Sequence, residues 1–115
     1  MNREILFRGK RVDNDEWVYG FLVKMFGVLN IADKDNENII YEVIPETVGQ
    51  FIGLPDKNSN KIFEGDIVYN GVFKAQVELI NGRFSPFGSD MFFADECEVI
   101  GNIYDNKELL GCTVI

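Results

Sequence analysis

Histidine is missing altogether from the 115 residues, and cysteine and proline are scarce, at two and three. Without histidine the chain lacks the only side chain whose ordinary pKa falls between about pH 5 and 8. Ser-His-Asp and Cys-His nucleophilic catalysis are thereby excluded within one chain. Acid/base work would fall to carboxylates, lysine or tyrosine with displaced pKa values. Two cysteines cannot complete a four-ligand zinc site unless carboxylates or a second subunit help. No catalytic residue, metal or cofactor is therefore assigned. Long apolar runs are missing too, so no segment is expected to span a bilayer. Residues 1–8 also lack the apolar stretch of a signal peptide, and the expected location is the cytoplasm. In that reducing compartment Cys97 and Cys112 read as small buried thiols, not as a disulfide.

Positive charge is in short supply as well: 11 Lys and Arg face 19 Asp and Glu, for a net charge of −8. Four of the bases lie in residues 1–12, against Glu4 alone. The acids cluster in residues 13–16, 33–37 and 90–98. Nucleic-acid binders gain most of their affinity by neutralising phosphates, so nucleic acid is not an expected partner of this acidic chain. The patch Arg8-Gly9-Lys10-Arg11 reads as solvated side chains flanking a strand or turn. A DNA mimic acting on a host nucleic-acid-binding protein is the alternative reading of the acidity. It needs carboxylates in ordered rows, whereas these fall mostly in Asn/Asp-rich loops.

What is present is a globular composition, 46% hydrophobic and 26% charged. At this length about two-thirds of the surface can be buried, enough for one compact domain over 1–115. It reads as an N-terminal β part, 1–52, and a barrel part, 53–115. Apolar residues recur with period two. Trp17, Tyr19, Phe21 and Val23 share one face of a strand, with Gly20 on the other. Residues 5–12 pair back onto that strand across residues 13–16 as a hairpin. Residues 27–31, 39–44 and 48–52 are further strands, and Pro45 ends the middle one.

In the second half, residues 55–60 form an exposed turn, and Glu64-Gly65 bends the run from Ile62 to Tyr69. Residues 72–80 alternate, with Phe73, Ala75, Val77 and Leu79 expected inward. Asn81-Gly82 is a type I′ hairpin signal, and residues 97–103 form another strand. Asp105 suits the N-cap of a single helical turn through Leu110, ended by Gly111. The pattern describes a mainly β protein. We expect a small bent barrel of SH3-like type in the C-terminal half, extra N-terminal strands and one short C-terminal helical turn.

Several blocks resemble the YopX family of phage and prophage proteins. They are Arg3-Glu4-Ile5-Leu6-Phe7-Arg8-Gly9-Lys10, Glu16-Trp17-Val18-Tyr19-Gly20 and Val43-Ile44-Pro45-Glu46-Thr47-Val48-Gly49-Gln50-Phe51. Gly53-Leu54, Asp56-Lys57-Asn58, Lys61-Ile62-Phe63-Glu64-Gly65-Asp66-Ile67-Val68 and Val99-Ile100-Gly101-Asn102-Ile103-Tyr104-Asp105-Asn106 complete the set. The resemblance implies a β-rich fold with an SH3-like C-terminal part and a phage or prophage origin in a bacterial host. It brings no reaction and no catalytic residues. Lys107 stands where such proteins often have Pro, and Asp15 where Gly is common.

Three constellations invite a site. Asp56-Lys57-Asn58-Ser59-Asn60 opens like an EF-hand loop, but Lys61 and Ile67 occupy the positions that need Gly and Glu. These residues are better suited to turn hydrogen bonds. Glu64-Gly65-Asp66 pairs two carboxylates, yet on a bend Asp66 is expected to accept backbone N–H bonds while Gly65 supplies positive φ. Phe84, Phe87, Phe92 and Phe93 surround an irregular loop stiffened by Pro86 and loosened by Gly88-Ser89. They could anchor a partner, but core packing is the default. The sum is a non-enzymatic accessory protein that binds another protein or self-assembles.

Overall fold

The computed structural model describes residues 4–87 and 92–111. Its chain divides into two compact units, Met1–Phe51 and Ile52–Ile115.

The first unit is an antiparallel sheet. β1 (Phe7–Lys10) and β2 (Trp17–Met25) form the expected hairpin, with Phe7 opposite Gly20 and Lys10 opposite Trp17. Asp15 turns the corner at φ 60. β3 (Val28–Asp33) returns along β2, and β4 (Ile40–Glu42) closes that side. Pro45 does stop the strand: it opens a 3-10 turn, Pro45–Thr47, whose Thr47 hydroxyl accepts the Lys10 N–H. β5 (Gly49–Pro55) then pairs with β1, giving the order β4-β3-β2-β1-β5. The core lies on one face, where Ile31 and Val43 are buried. Gly9 admits them closely, since a Cβ there would stand 3.1 Å from Val43.

β5 runs on into the second unit, where β6 (Lys61–Phe63) is its neighbour. The Glu64-Gly65 bend leads to β7 (Asp66–Tyr69), flanked by β8 (Lys74–Gln76) and β11 (Glu98–Asn102). β9 (Glu78–Ile80) and β10 (Arg83–Ser85) form a separate hairpin. Asn81 and Gly82 hold it at φ 52 and 80, the I′ signature. Ile62, Val68, Val77, Phe92, Ala94 and Cys97 make the core.

The fold is mainly antiparallel β with one short helix, as expected, but no described sheet closes on itself, so the closed barrel is not found. The reason is local. Residues 72–80 are not one strand, because the ladder of β8 on β7 ends at Val77, which faces two residues of the bend. Its N–H donates to the Asp66 carbonyl and its own carbonyl accepts from Gly65. Beyond that break the chain pairs elsewhere, and Phe73 and Leu79, expected inward, are about half exposed, at 51% and 50%. The helix, α1 (Glu108–Gly111), starts later than an Asp105 cap would set it. Asp105 instead accepts a hydrogen bond from the Asn102 amide. Among the described residues no helix is long and apolar enough to cross a membrane.

Gly20 lies hard against β3, since a Cβ there would fall 1.8 Å from the Ala32 carbonyl oxygen. Backbone cannot swing aside as a side chain can. Gly20→Ala should cost about 2–4 kcal/mol in urea unfolding. Gly27→Ala, at φ 78 in open space, should cost only about 1 kcal/mol. A Gly20→Ala loss smaller than that of Gly27→Ala would contradict this close approach.

Candidate functional site

Alternation along β2 sends Trp17, Tyr19, Phe21, Val23 and Met25 to the face opposite the first unit's core. The register sets Val28, Asn30 and Ala32 of β3 beside them, then Ile40 and Glu42 of β4. The two ends of this row differ. At the Trp17 end, the Arg8 guanidinium lies 4.6 Å above the indole and Lys10 Nζ 5.6 Å from it. Arg8 is only 6% exposed, which corrects the expectation of a solvated basic patch: the aromatic face and its surroundings bury the guanidinium. Arg11 forks onto Asp13 at 2.9 and 2.6 Å and stacks over Tyr41.

Toward the hairpin tip the row is open. Phe21, Met25, Val28 and Ile40 are all exposed. Phe21, Val23, Ala32, Ile40 and Glu37 line a shallow hollow of 460 Å³. At the tip the chain turns through Phe26 and Gly27, both at positive φ, 53 and 78. Phe26 is 98% exposed. The alternation analysis places Phe21 and Val23 on this face but passes over Phe26, because Phe-Gly is not among the usual hairpin pairs. One signal was available: residues 17–32 carry a single charge, Lys24, in a chain rich in charge elsewhere.

The residues singled out for chemistry serve the fold of the second unit instead. Asp66 is buried, and its carboxylate accepts the Phe63 N–H at 2.7 Å across the bend, with Gly65 at φ 95. Asp56, expected in an exposed turn, is buried. Its Oδ1 accepts the N–H groups of Asn58 and Asn60, and its Oδ2 that of Val99. Burial pushes this carboxyl up, but the bonds from Val99, Asn60 and Asn58 outweigh that and hold it below its ordinary value. Cys97 is fully buried, and its Sγ–H donates to the Ala94 carbonyl. Burial, with Asp56 and Asp95 nearby, pushes the thiol up to about 11. Cys112, the other expected buried thiol, lies outside the described residues.

The aromatic loop divides. Phe92 is core and meets Phe87 edge-on at 5.8 Å, Phe84 is half-buried, and Phe93 faces outward. Phe84 and Phe87, with Ile52, Leu54 and Arg83, line a second shallow hollow of 480 Å³. Gly88 and Ser89 lie outside the described residues. Among the described residues no cluster of three or more Cys, Asp and Glu is placed to hold a metal.

Together these features define a mainly antiparallel β protein with an open apolar hairpin. The model of the YopX protein family matches residues 6–111, and the chain belongs to that family. The fold is similar to the crystal structure of protein EF1440 from Enterococcus faecalis. That chain is 21% identical, with a TM-score of 0.60 over 96% of this chain and 100% of the other. At that identity the likeness concerns the fold alone. No curated protein matches the chain.

Two predictions follow from the buried acid and the thiol. Asp56→Asn sets an amide N–H₂ against the Val99 N–H and should cost about 2–3 kcal/mol at pH 7. Because the folded-state pKa is depressed, the stabilisation by Asp56 is complete above the unfolded value near 4 and disappears as pH falls through the folded one. The gap between wild type and Asp56→Asn in urea unfolding should therefore shrink below about pH 4; a constant gap would refute the assignment. Site-resolved alkylation at pH 8 should leave Cys97 unmodified in the native protein and modify it readily in urea.

Proposed function

We propose that this YopX-family protein is a non-enzymatic β module that works by binding protein through the open face of β2, β3 and β4 and the Phe26 tip. The observation that carries the reading is Phe26 itself. Its ring touches almost nothing in the chain, yet the residue occupies a left-handed backbone position that costs an L side chain about 1–2 kcal/mol. An aromatic ring there does little for folding and is well placed for a contact. Its neighbours Met25, Val28 and Phe21 extend the apolar surface, and partner surfaces concentrate aromatic residues where charge is sparse.

The absence of enzymatic chemistry is supported by how the reactive groups are spent, with Cys97 buried and Asp56 and Asp66 accepting backbone bonds. The acidic-mimic alternative gains nothing from carboxylates placed inward or, like Asp13 and Asp35, paired locally with Arg11 and Lys34. The bend at Gly65 and the hairpin at Asn81-Gly82 support reading the second unit as an open, SH3-like variant. A phage or prophage origin and a cytoplasmic site of action belong to the same proposal, on the family relationship.

Phe26→Asn tests it, because asparagine tolerates left-handed backbone. The variant should fold with stability equal to wild type or up to about 1 kcal/mol higher. Light scattering and affinity capture from bacterial lysate should show wild type retaining a protein, a second copy included, and Phe26→Asn losing it by about tenfold or more. A wild-type monomer that retains nothing, or capture indifferent to Phe26, would sink the reading.

A further inference from the structure

The binding reading can be deepened at the edge of β2, and the inference rests on that reading. β1 covers β2 only as far as the pair Phe7 and Gly20. Beyond it, residues 21–25 pair with β3 on one side only. The direction of their backbone groups follows from the register. The Lys34 N–H donates to the Tyr19 carbonyl on the β3 side. Alternation then turns the groups of Phe21, Val23 and Met25 toward β3 and those of Leu22 and Lys24 toward the uncovered edge. Among the described residues no backbone hydrogen bond reaches Leu22 or Lys24 from that edge.

We propose that this edge pairs with the same edge of a second copy, antiparallel, about a two-fold axis at Val23. Leu22 then exchanges both backbone bonds with Lys24 of the second copy, and Lys24 with its Leu22. The two Val23 residues face each other as the wide, non-hydrogen-bonded pair between them. The choice of a second copy rests on charge. Two chains of net charge −8 repel each other over most of their surfaces, whereas residues 17–32 carry only Lys24. In this register each Lys24 faces a leucine and never its own counterpart. The edge also has no proline, one of the devices that block such pairing, and Lys24 is its one charge. An antiparallel pairing about a two-fold is self-complementary, as a closed dimer requires.

The test is oligomeric state with a geometric reporter. Light scattering from about 10 μM to 1 mM should show a monomer–dimer equilibrium. In a Cys112→Ser background, Val23→Cys should oxidise to a covalent dimer at least about tenfold faster than Val28→Cys. The wide pair holds the α-carbons about 4.5 Å apart, inside the disulfide range of roughly 4.4–6.8 Å. Leu22→Pro removes only an outward N–H and should abolish the dimer. Should it fail to fold, Lys24→Glu is the second variant and should weaken association by about tenfold.

A monomer at the highest concentration, or equal cross-linking of the two cysteine variants, overturns the proposal. A foreign protein trapped by Val23→Cys in lysate, with no homodimer, overturns it too and assigns the edge to another chain. If the protein is monomeric while capture still depends on Phe26, this inference falls alone. If neither dimer nor capture is seen, the binding reading falls with it.

Discussion

The first unit depends on the register between β2 and β3. Two residues at positive φ, Phe26 and Gly27, make the turn, and they fix Met25 opposite Val28. Every later pair follows from that one, down to Gly20 opposite Asp33. At that far end the Ala32 carbonyl occupies the space where a side chain would stand on residue 20. A slip of one residue would flip one strand against the other, so that either Ile31 turned to solvent beside Phe21 or Phe21 turned into the core beside Ile31. The buried core and the open face are therefore two consequences of one turn.

The second unit is held differently. Its strands are short, three to five residues apart from β5, and ladders of that length are weak alone. Buried carboxylates join what the ladders do not. Asp56 ties its own turn to Val99, 43 residues further on, and Asp66 clamps the bend between β6 and β7. Ionised acceptors make the stronger class of hydrogen bond. Part of the chain's acidity is thus structural, and net charge alone overstates what the surface offers a cationic partner.

These two modes of construction explain what the sequence discloses. Turns with a dedicated chemistry were legible: Asn81-Gly82, Gly65 before Asp66, and Pro45 after β4 all lie where their residue types place them. Strand faces were legible too, since the stripe from Trp17 to Val23 is as alternation requires. Coverage was not. Alternation tells which side chains share a face and is silent on what lies over it, so Arg8 could not be read as buried nor Phe21 as exposed. The break at Val77 escaped for a related reason: period two continues through it while the hydrogen-bond partners change. Asp15 was legible as a turn residue, and its φ of 60 lies in the left-handed region that glycine favours.

Phe26 poses the sharpest case, because local preference and observed residue disagree. At a two-residue turn of this hand, Asn or Gly would relieve the backbone and cost no packing, since Phe26 packs against almost nothing. Where local choices support the global fold, such a conflict is uncommon, and conflicts gather at sites held for contacts outside the folded chain. The surrounding residues point the same way. Met25 and Val28 leave apolar surface beside the ring, and the strand edge just below it carries backbone groups without partners in the sheet. An exposed ring and a strand edge paired on one side only occupy one hairpin end, and the register that buries Ile31 presents both.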